Sequence, residues 1–391
     1  MQAPRVRARR ILGLAILITP LALVRIAGVA GGLPMFGGRS GAACSRCHGV
    51  TPELNDAGIA FLQRGYREPG EHAGLPRSLR DLPISVVGSA GAGISRPRTF
   101  VAGAPEHITT ESVTGSSIAL HAAGTLTGRL SYHFDLDTVH HEEEIVNHVA
   151  FAQFDDVLRN GGLNVRGGRF DAELPFLSSE RRTTIRDYLS PVTFQARGFE
   201  LNGAAAAWTY AAGLIESDRH VTGPNTTARI GDQIEDTYYR VTRDVGGNPV
   251  AAQMLFDKQD SDMITHTWLQ HIQARLAARL GPPRWTVTPS YILDRFDDRP
   301  AAGIHEHHHY FMLESVTQLD TRRLWSVTAR GEYDYRVANA VDAESVRRLG
   351  VLTLARSVTP YARIAAEWSR EQDTTPHRID DALGAMLELS Y

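Results

Sequence analysis

Lysine is almost missing from this chain of 391 residues: Lys258 is the only one, and arginine supplies the rest of its 41 basic side chains. Against 44 acidic residues this leaves a formal net charge of -3, which argues against nucleic acid as a partner. Beyond residue 24 no long apolar run occurs, so the chain is not a helical membrane protein. That absence leaves a β-barrel open, because barrel strands are only half apolar. Methionine is lacking between Met35 and Met254. Cysteine occurs only twice, at Cys44 and Cys47, both within GAACSRCHGV and followed at once by His48.

The N-terminus sets the compartment in which these thiols work. Arg5, Arg7, Arg9 and Arg10 form a basic head, Ile11 to Val24 is apolar, and Gly28-Val29-Ala30 offers small residues for a signal peptidase. Residues 1–30 therefore read as a secretory signal. A retained anchor is the rival, weakened by Pro20, by Arg25 and by a run shorter than the roughly twenty residues a span needs. In an oxidising compartment Cys44 and Cys47 would close a small disulfide or be captured covalently, and the adjacent His48 favours capture by haem vinyl groups. C-x-x-C-H is the attachment motif of c-type haem, with His48 as the proximal iron ligand. A redox dithiol or half of a zinc site are the alternatives, but no βαβ pattern surrounds the pair and no second C-x-x-C exists.

After the motif, TPELNDAGIAFLQRGYREPG predicts a short helix from Pro52, capped by Thr51 and ending near Gly65. Leu54, Ala57, Gly58, Phe61 and Leu62 share one of its faces. From about residue 81 the pattern turns to alternation and stays there. In TLTGRLSYHFDLD, Leu126, Leu130, Tyr132, Phe134 and Leu136 alternate with Thr127, Arg129, Ser131, His133 and Asp135. The same period of two recurs in LWSVTARGEYDYR and in the terminal LGAMLELSY, the mark of strands with one wet and one apolar face.

Placing strands by this rule between 82 and 391 predicts about sixteen, an even number. The linkers AAG, RNGG, NG, VGGN, GPP, LDT and SV follow even-numbered strands and are tight, whereas 95–111, 175–192, 217–231, 296–307 and 371–380 follow odd ones and are long. Outer-membrane barrels alternate in this way, with short turns on the periplasmic side and long loops outside. A soluble β-sandwich or solenoid would need neither that alternation nor outward aromatics such as Trp268, Trp285, Trp325, Trp368 and Tyr391 near strand ends. The fold class expected is all-β: a transmembrane antiparallel β-barrel of about 16 strands (81–391) preceded by a short helical c-type haem segment (31–80).

MFGGRSGAACSRCHGVTPELNDAGIAFLQRGY, residues 35–66, resembles the fused cytochrome-porins of the bacterial outer membrane, best known from iron-oxidising bacteria. The matching positions are Phe36, Cys44, Cys47, His48, Pro52, Leu54, Gly58, Gly65 and Tyr66. Gly37, Gly38 and Ser40 stand where that family often has aromatic or basic residues. The resemblance implies one covalent haem c held in or beneath a barrel, electron transfer across the outer membrane, a periplasmic carrier (a cytochrome c or copper protein) as partner, and insertion by the barrel-assembly machinery. Members differ in substrate, and Fe(II) is the most specific one the family suggests.

Other residues bear on that chemistry. His72, His107, His121, His133 or an open position are the choices for the sixth iron ligand. Two segments placed outside carry imidazole with carboxylate, a donor set suited to Fe, Zn, Cu or Ni. They are DTVHHEEE, with His140 and His141, and DRFDDRPAAGIHEHHHYF, with His305, His307, His308 and His309. Either a capture site for ferrous iron or a hydrophilic loop with adventitious affinity would give that composition. Arg129, Arg275, Arg279, Arg330, Arg363, Glu332, Asp334, Glu367 and Glu388 fall on the lumen faces, and charge of both signs fits a plugged lumen better than an anion-selective pore. Three readings of function follow: an outer-membrane electron conduit, a passive porin with an accessory haem domain, and a soluble secreted β-protein.

Overall fold

Alternation of apolar and polar side chains makes each segment viable only as a strand with one face toward oil, and closure into a barrel is the solution that leaves no edge unpaired. The computed structural model describes Phe36 and residues 44–67, 84–101, 104–107, 110–112, 117–139, 144–146, 149–158, 161–179, 181–217, 236–262, 267–282, 284–299, 305–322, 324–338, 344–359, 362–374 and 377–390. Residues 1–30, read from the sequence as a secretory signal, lie outside the described residues, as do His72, His140 and His141.

Sixteen strand positions close into one antiparallel sheet. They are β1 (Ile84–Val101), β2 (Ala104–His107, Thr110–Ser112 and Ser117–Thr127), β3 (Leu130–Val139), β4 (Glu144–Val146 and Ala150–Leu158), β5 (Leu163–Glu173), β6 (Thr193–Ala205), β7 (Trp208–Ser217) and β8 (Asp236–Val245), followed by β9 (Asn248–Asp262), β10 (Thr267–Ala278), β11 (Trp285–Arg299), β12 (His305–Gln318), β13 (Trp325–Ala338), β14 (Glu344–Thr359), β15 (Ala362–Asp373) and β16 (Arg378–Ser390). The three runs of β2 pair successively with β1, and both runs of β4 pair with β3, so each counts as one interrupted strand. Pairing of β1 with β16, from Val87 opposite Ser390 to Thr99 opposite Arg378, closes the ring.

The expected strand number holds, and several boundaries move. The AAG segment is not a turn: Ala122, Ala123 and Gly124 continue β2 to Thr127, and the reversal falls at Gly128-Arg129. Likewise the stretch from 95 is mainly strand rather than loop, because β1 runs to Val101 and its hairpin partner starts at Ala104. The turn placed at Asn202-Gly203 instead lies at Ala206-Ala207.

The two faces of the wall are chemically opposite. Leu214, Phe311, Leu313, Leu352 and Leu383 are exposed on the outside, while Gln153, Arg275, Arg330, Glu332 and Glu367 are buried inside. An exposed apolar belt of this extent is stable only against lipid or another apolar phase. Trp208, Trp285 and Trp325 each begin a strand directly after a short turn and are exposed outward, forming one interfacial row. Tyr291, His309 and Tyr335 pack together farther up the same wall, with ring centroids 6.2 Å apart at each contact.

Candidate functional site

The C-x-x-C-H motif opens as one turn of 3-10 helix, Cys44–Arg46, and runs into the described α-helix α1, Asp56–Gln63. The helix starts four residues later than the sequence suggests. Asn55 rather than Thr51 is its cap: its side-chain oxygen accepts from the Gly58 amide at 3.0 Å, while its side-chain nitrogen donates to the carbonyls of Ser45 (3.3 Å) and Arg46 (3.1 Å). The Asn55 amide also donates to the Cys47 carbonyl at 2.9 Å. One residue thus ties the motif turn to the helix. Its signal in the sequence was Asn followed by Asp in a first turn. Gly58 is buried where a Cβ would lie 2.2 Å from the Cys47 carbonyl oxygen, so helix and motif touch backbone to backbone.

This unit spans the barrel mouth at the short-turn end. On one side Arg67 donates to the Gly128 carbonyl in the β2–β3 turn at 2.5 Å and pairs with Asp155 at 3.4 Å and Asp156 at 3.3 Å. Gln153 donates to the Gln63 carbonyl at 3.3 Å. Across the mouth, Arg279 at the end of β10 donates to the Leu54 carbonyl at 2.7 Å and pairs with Asp56, and Gln318 of β12 donates to the Gly49 carbonyl. Phe36 stacks on Tyr66 at 5.3 Å and meets Phe61 edge-on at 5.0 Å, and Phe61, Leu62 and Tyr66 pack with Ala123 and Phe151 of the wall. Phe36, Gly58, Gly65 and Tyr66, which the sequence singled out, converge on this docking. Ala57, placed on the same face, is instead exposed.

The donor set fits a covalent haem c. His48 is buried, and its Nδ1 lies 3.1 Å from the Pro52 carbonyl oxygen. A carbonyl acceptor on one ring nitrogen fixes tautomer and orientation and leaves Nε2 to face a metal. Burial lowers the imidazole's pKa, with Arg181 adding to it, and so favours the neutral form that a metal ligand requires. Cys47 is half-buried three residues beyond the start of the motif turn. Of the proposed sixth ligands, His121 and His133 stand on the inner wall at β2 and β3, and His107 lies in the first run of β2, opposite Arg98.

A second element crosses the lumen. The described residues of 175–192, expected as an outward loop, instead fold into the barrel and bond to strands on the far side of the ring. Glu332 accepts from the Leu189 amide (2.9 Å), the Ser190 amide (3.1 Å) and the Ser190 hydroxyl (2.9 Å). Glu367 accepts from the amides of Ile185 and Arg186, both at 2.6 Å. Arg330 donates to the Thr184 hydroxyl and the Arg186 carbonyl, each at 2.7 Å, and to the Asp187 carbonyl at 2.8 Å. The cause is complementarity: the loop offers unpaired amides and carbonyls, and the inner wall offers buried charges that need them. Leu174, Phe176, Leu177 and Val192 pack with Ile59 of α1, so the two plugs touch.

Solved structures with this architecture are known. The chain superposes on the outer membrane channel DcaP of Acinetobacter baumannii with a TM-score of 0.58 at 9% identity, covering 79% of this chain and 97% of that one. An anion-selective porin from Comamonas acidovorans gives 0.55 at 11% identity (79% and 99%), and a loop-deletion mutant of OmpT from Vibrio cholerae gives 0.54 at 12% identity (79% and 99%). The fold is that of the outer-membrane porins. No family model matches the chain, and no curated protein matches it.

The histidine-rich segment at the long-loop end is not a loop. His305 to His309 open β12, where successive side chains point to opposite faces. His309 faces outward beside Tyr291 and Tyr335, whereas His308 faces inward between Glu306 (2.6 Å) and Asp334 (3.2 Å). His308 and His309 therefore cannot share one metal ion. Asp294, also assigned to that loop, lies in β11 and is buried against His271.

Glu53 couples the motif turn to its surroundings. It lies 3.8 Å from Arg279 and lines a small cavity with Leu54, Phe176, Arg181, Tyr188 and Glu314. Burial pushes its carboxyl up to about 7 against the pull of Arg279, with Glu314 adding to the rise. A carboxyl whose pKa is higher docked than undocked holds extra proton in the docked state. Its contribution to docking is complete below the free value of ~4.3 and is lost as pH rises through about 7. Tryptic cleavage at Arg46 and Arg64, normalised to an unstructured peptide, should accelerate between about pH 6 and about pH 8. Glu53→Gln should flatten that rise; an equal rise in the variant would assign it to another group.

Proposed function

We propose that this chain is an electron-transfer protein of the bacterial outer membrane, in which Cys44 and Cys47 would join one haem c and His48 would ligate it, placing it to pass electrons from an extracellular donor to a periplasmic carrier. The observation that carries this reading is the placement of the C-x-x-C-H turn, clamped across the short-turn mouth by Arg67, Arg279 and Gln318. In outer-membrane barrels that mouth faces the periplasm, where a small cytochrome or copper protein can dock. The haem, when bound, supplies one-electron chemistry at its iron.

The chain's own residues supply the rest. Asn55 and Gly58 hold the turn against α1, and the Pro52 carbonyl orients His48. The inward loop and the docked segment limit water and solute passage. Fe(II) is the donor that best matches the resemblance of residues 35–66 to cytochrome-porins.

The test is a visible spectrum of anaerobic outer-membrane fractions before and after ferrous citrate. Covalent c-type bands that turn reduced within seconds support the proposal. Bands reduced by dithionite but not by iron remove the iron donor and keep the conduit. Absence of covalent haem returns the protein to the second reading, a passive channel, which the likeness to the DcaP channel and the Comamonas porin favours. An open conductance in planar bilayers would then be expected.

A further inference from the structure

One cluster on the inner wall belongs neither to the C-x-x-C-H turn nor to the lumen plug. His121 of β2 opposes Asp135 of β3, and His133 lies two residues from Asp135 on the same inward face. One ligand atom from each of the three lies within 4.8 Å of the other two. His121 Nδ1 is 3.9 Å from Asp135 Oδ2.

The groups around the cluster prepare it for a cation. Asp135 Oδ1 accepts from the Val149 amide at 2.6 Å, which holds the carboxylate and turns Oδ2 toward His121. The Tyr66 hydroxyl lies 2.7 Å from His133 Nδ1. Nε2 of His133 is buried and has no hydrogen-bond partner among the described residues. A ring engaged at Nδ1 and left bare at Nε2 is how a ligating histidine is set by its outer sphere. One inward step up β3, Asp137 Oδ1 is also buried with no partner among the described residues. Leaving His133 Nε2 buried and unpaired carries a desolvation cost, which a cation bound at that atom removes.

We propose that His121, His133 and Asp135 form a binding site for a divalent transition metal on the inner wall of the barrel, beside the docked segment. Two imidazoles and one carboxylate suit Fe(II), Zn(II) or Co(II) rather than Mg(II) or Ca(II). The spacing of 3.9 Å exceeds that between neighbouring ligands of one ion by less than about 1 Å, which side-chain rotation closes. The site does not depend on the presence of haem.

Zn(II) is the probe, counted by equilibrium dialysis of the full-length, detergent-solubilised protein with His307, His308 and His309 replaced by alanine to silence the strand histidines. One equivalent should bind, and His121→Ala should weaken it by at least about tenfold, as should Asp135→Asn, which keeps an acceptor for the Val149 amide. Heat-modifiable migration on gels verifies that each variant is a closed barrel. Unchanged zinc affinity in both folded variants would overturn the proposal. So would His133→Ala that shifts the haem spectrum while zinc uptake persists, since that assigns His133 to the haem iron.

Discussion

Gly58→Ala is expected to release the C-x-x-C-H segment from the barrel mouth while leaving the barrel closed. The added methyl would sit 2.2 Å from the Cys47 carbonyl oxygen and 3.0 Å from its carbon. Both are backbone atoms, so no side chain can swing aside. Either α1 retreats or the motif turn moves, and each breaks the 2.9 Å bond from the Asn55 amide to the Cys47 carbonyl. Overpacking of this kind costs about 1–3 kcal/mol, and at about 1.4 kcal/mol per decade the undocked population rises by about fivefold to about a hundredfold. Trypsin should cut at the exposed Arg46 and Arg64 faster by that factor, while heat-modifiable migration stays that of the parent. Ala57→Ser, one residue away and exposed, is the matched control. Parental cleavage in Gly58→Ala would mean that helix and turn are not held together as described.

Replacing residues 178–191 by a short Gly-Ser linker is expected to turn a closed barrel into a conducting one. The loop is the element that crosses the lumen, and its removal takes away bonds to Glu332, Glu367 and Arg330 together. Those charges do not become stranded. Arg330 retains Glu332 at 3.0 Å and Glu314 at 3.8 Å, and water enters with the loop gone. The wall should therefore survive, and conductance in planar bilayers should rise by about tenfold or more. Glu332→Ala should act more weakly by a different route: it leaves the Leu189 and Ser190 amides without an acceptor, at about 1–3 kcal/mol each, so the loop should flicker open rather than vanish. A loop-deleted barrel as silent as the parent would place the seal in the docked segment instead.

The reading of residues 175–192 as an external loop shows where sequence reasoning stops. Its length and polar content are those of an external loop, and nothing local distinguishes Ile185 facing solvent from Ile185 donating to Glu367 at a separation of 182 residues. The buried charges on β13 and β15 were legible as a mixed-charge lumen, but their partners were not. The stretch His305 to His307, read as the end of the long connection 296–307, was misplaced for a different reason. A run of histidines has no apolar alternation, so its period of two was invisible although the strand was already under way.

What the sequence determined by itself was local in origin: the C-x-x-C-H motif, the even count of strands and the alternation of tight and long connections. Each rests on residues within a dozen positions of one another, where side-chain period and turn chemistry act directly. Tertiary structure alone decided which mouth the motif covers, how the inward loop crosses the lumen, why Gly58 must be glycine, and that His121, His133 and Asp135 meet. Those outcomes depend on strand register and ring closure, which bring together groups such as Leu54 and Arg279 that lie 225 residues apart. Register follows from all sixteen strands pairing at once, and no single segment encodes it.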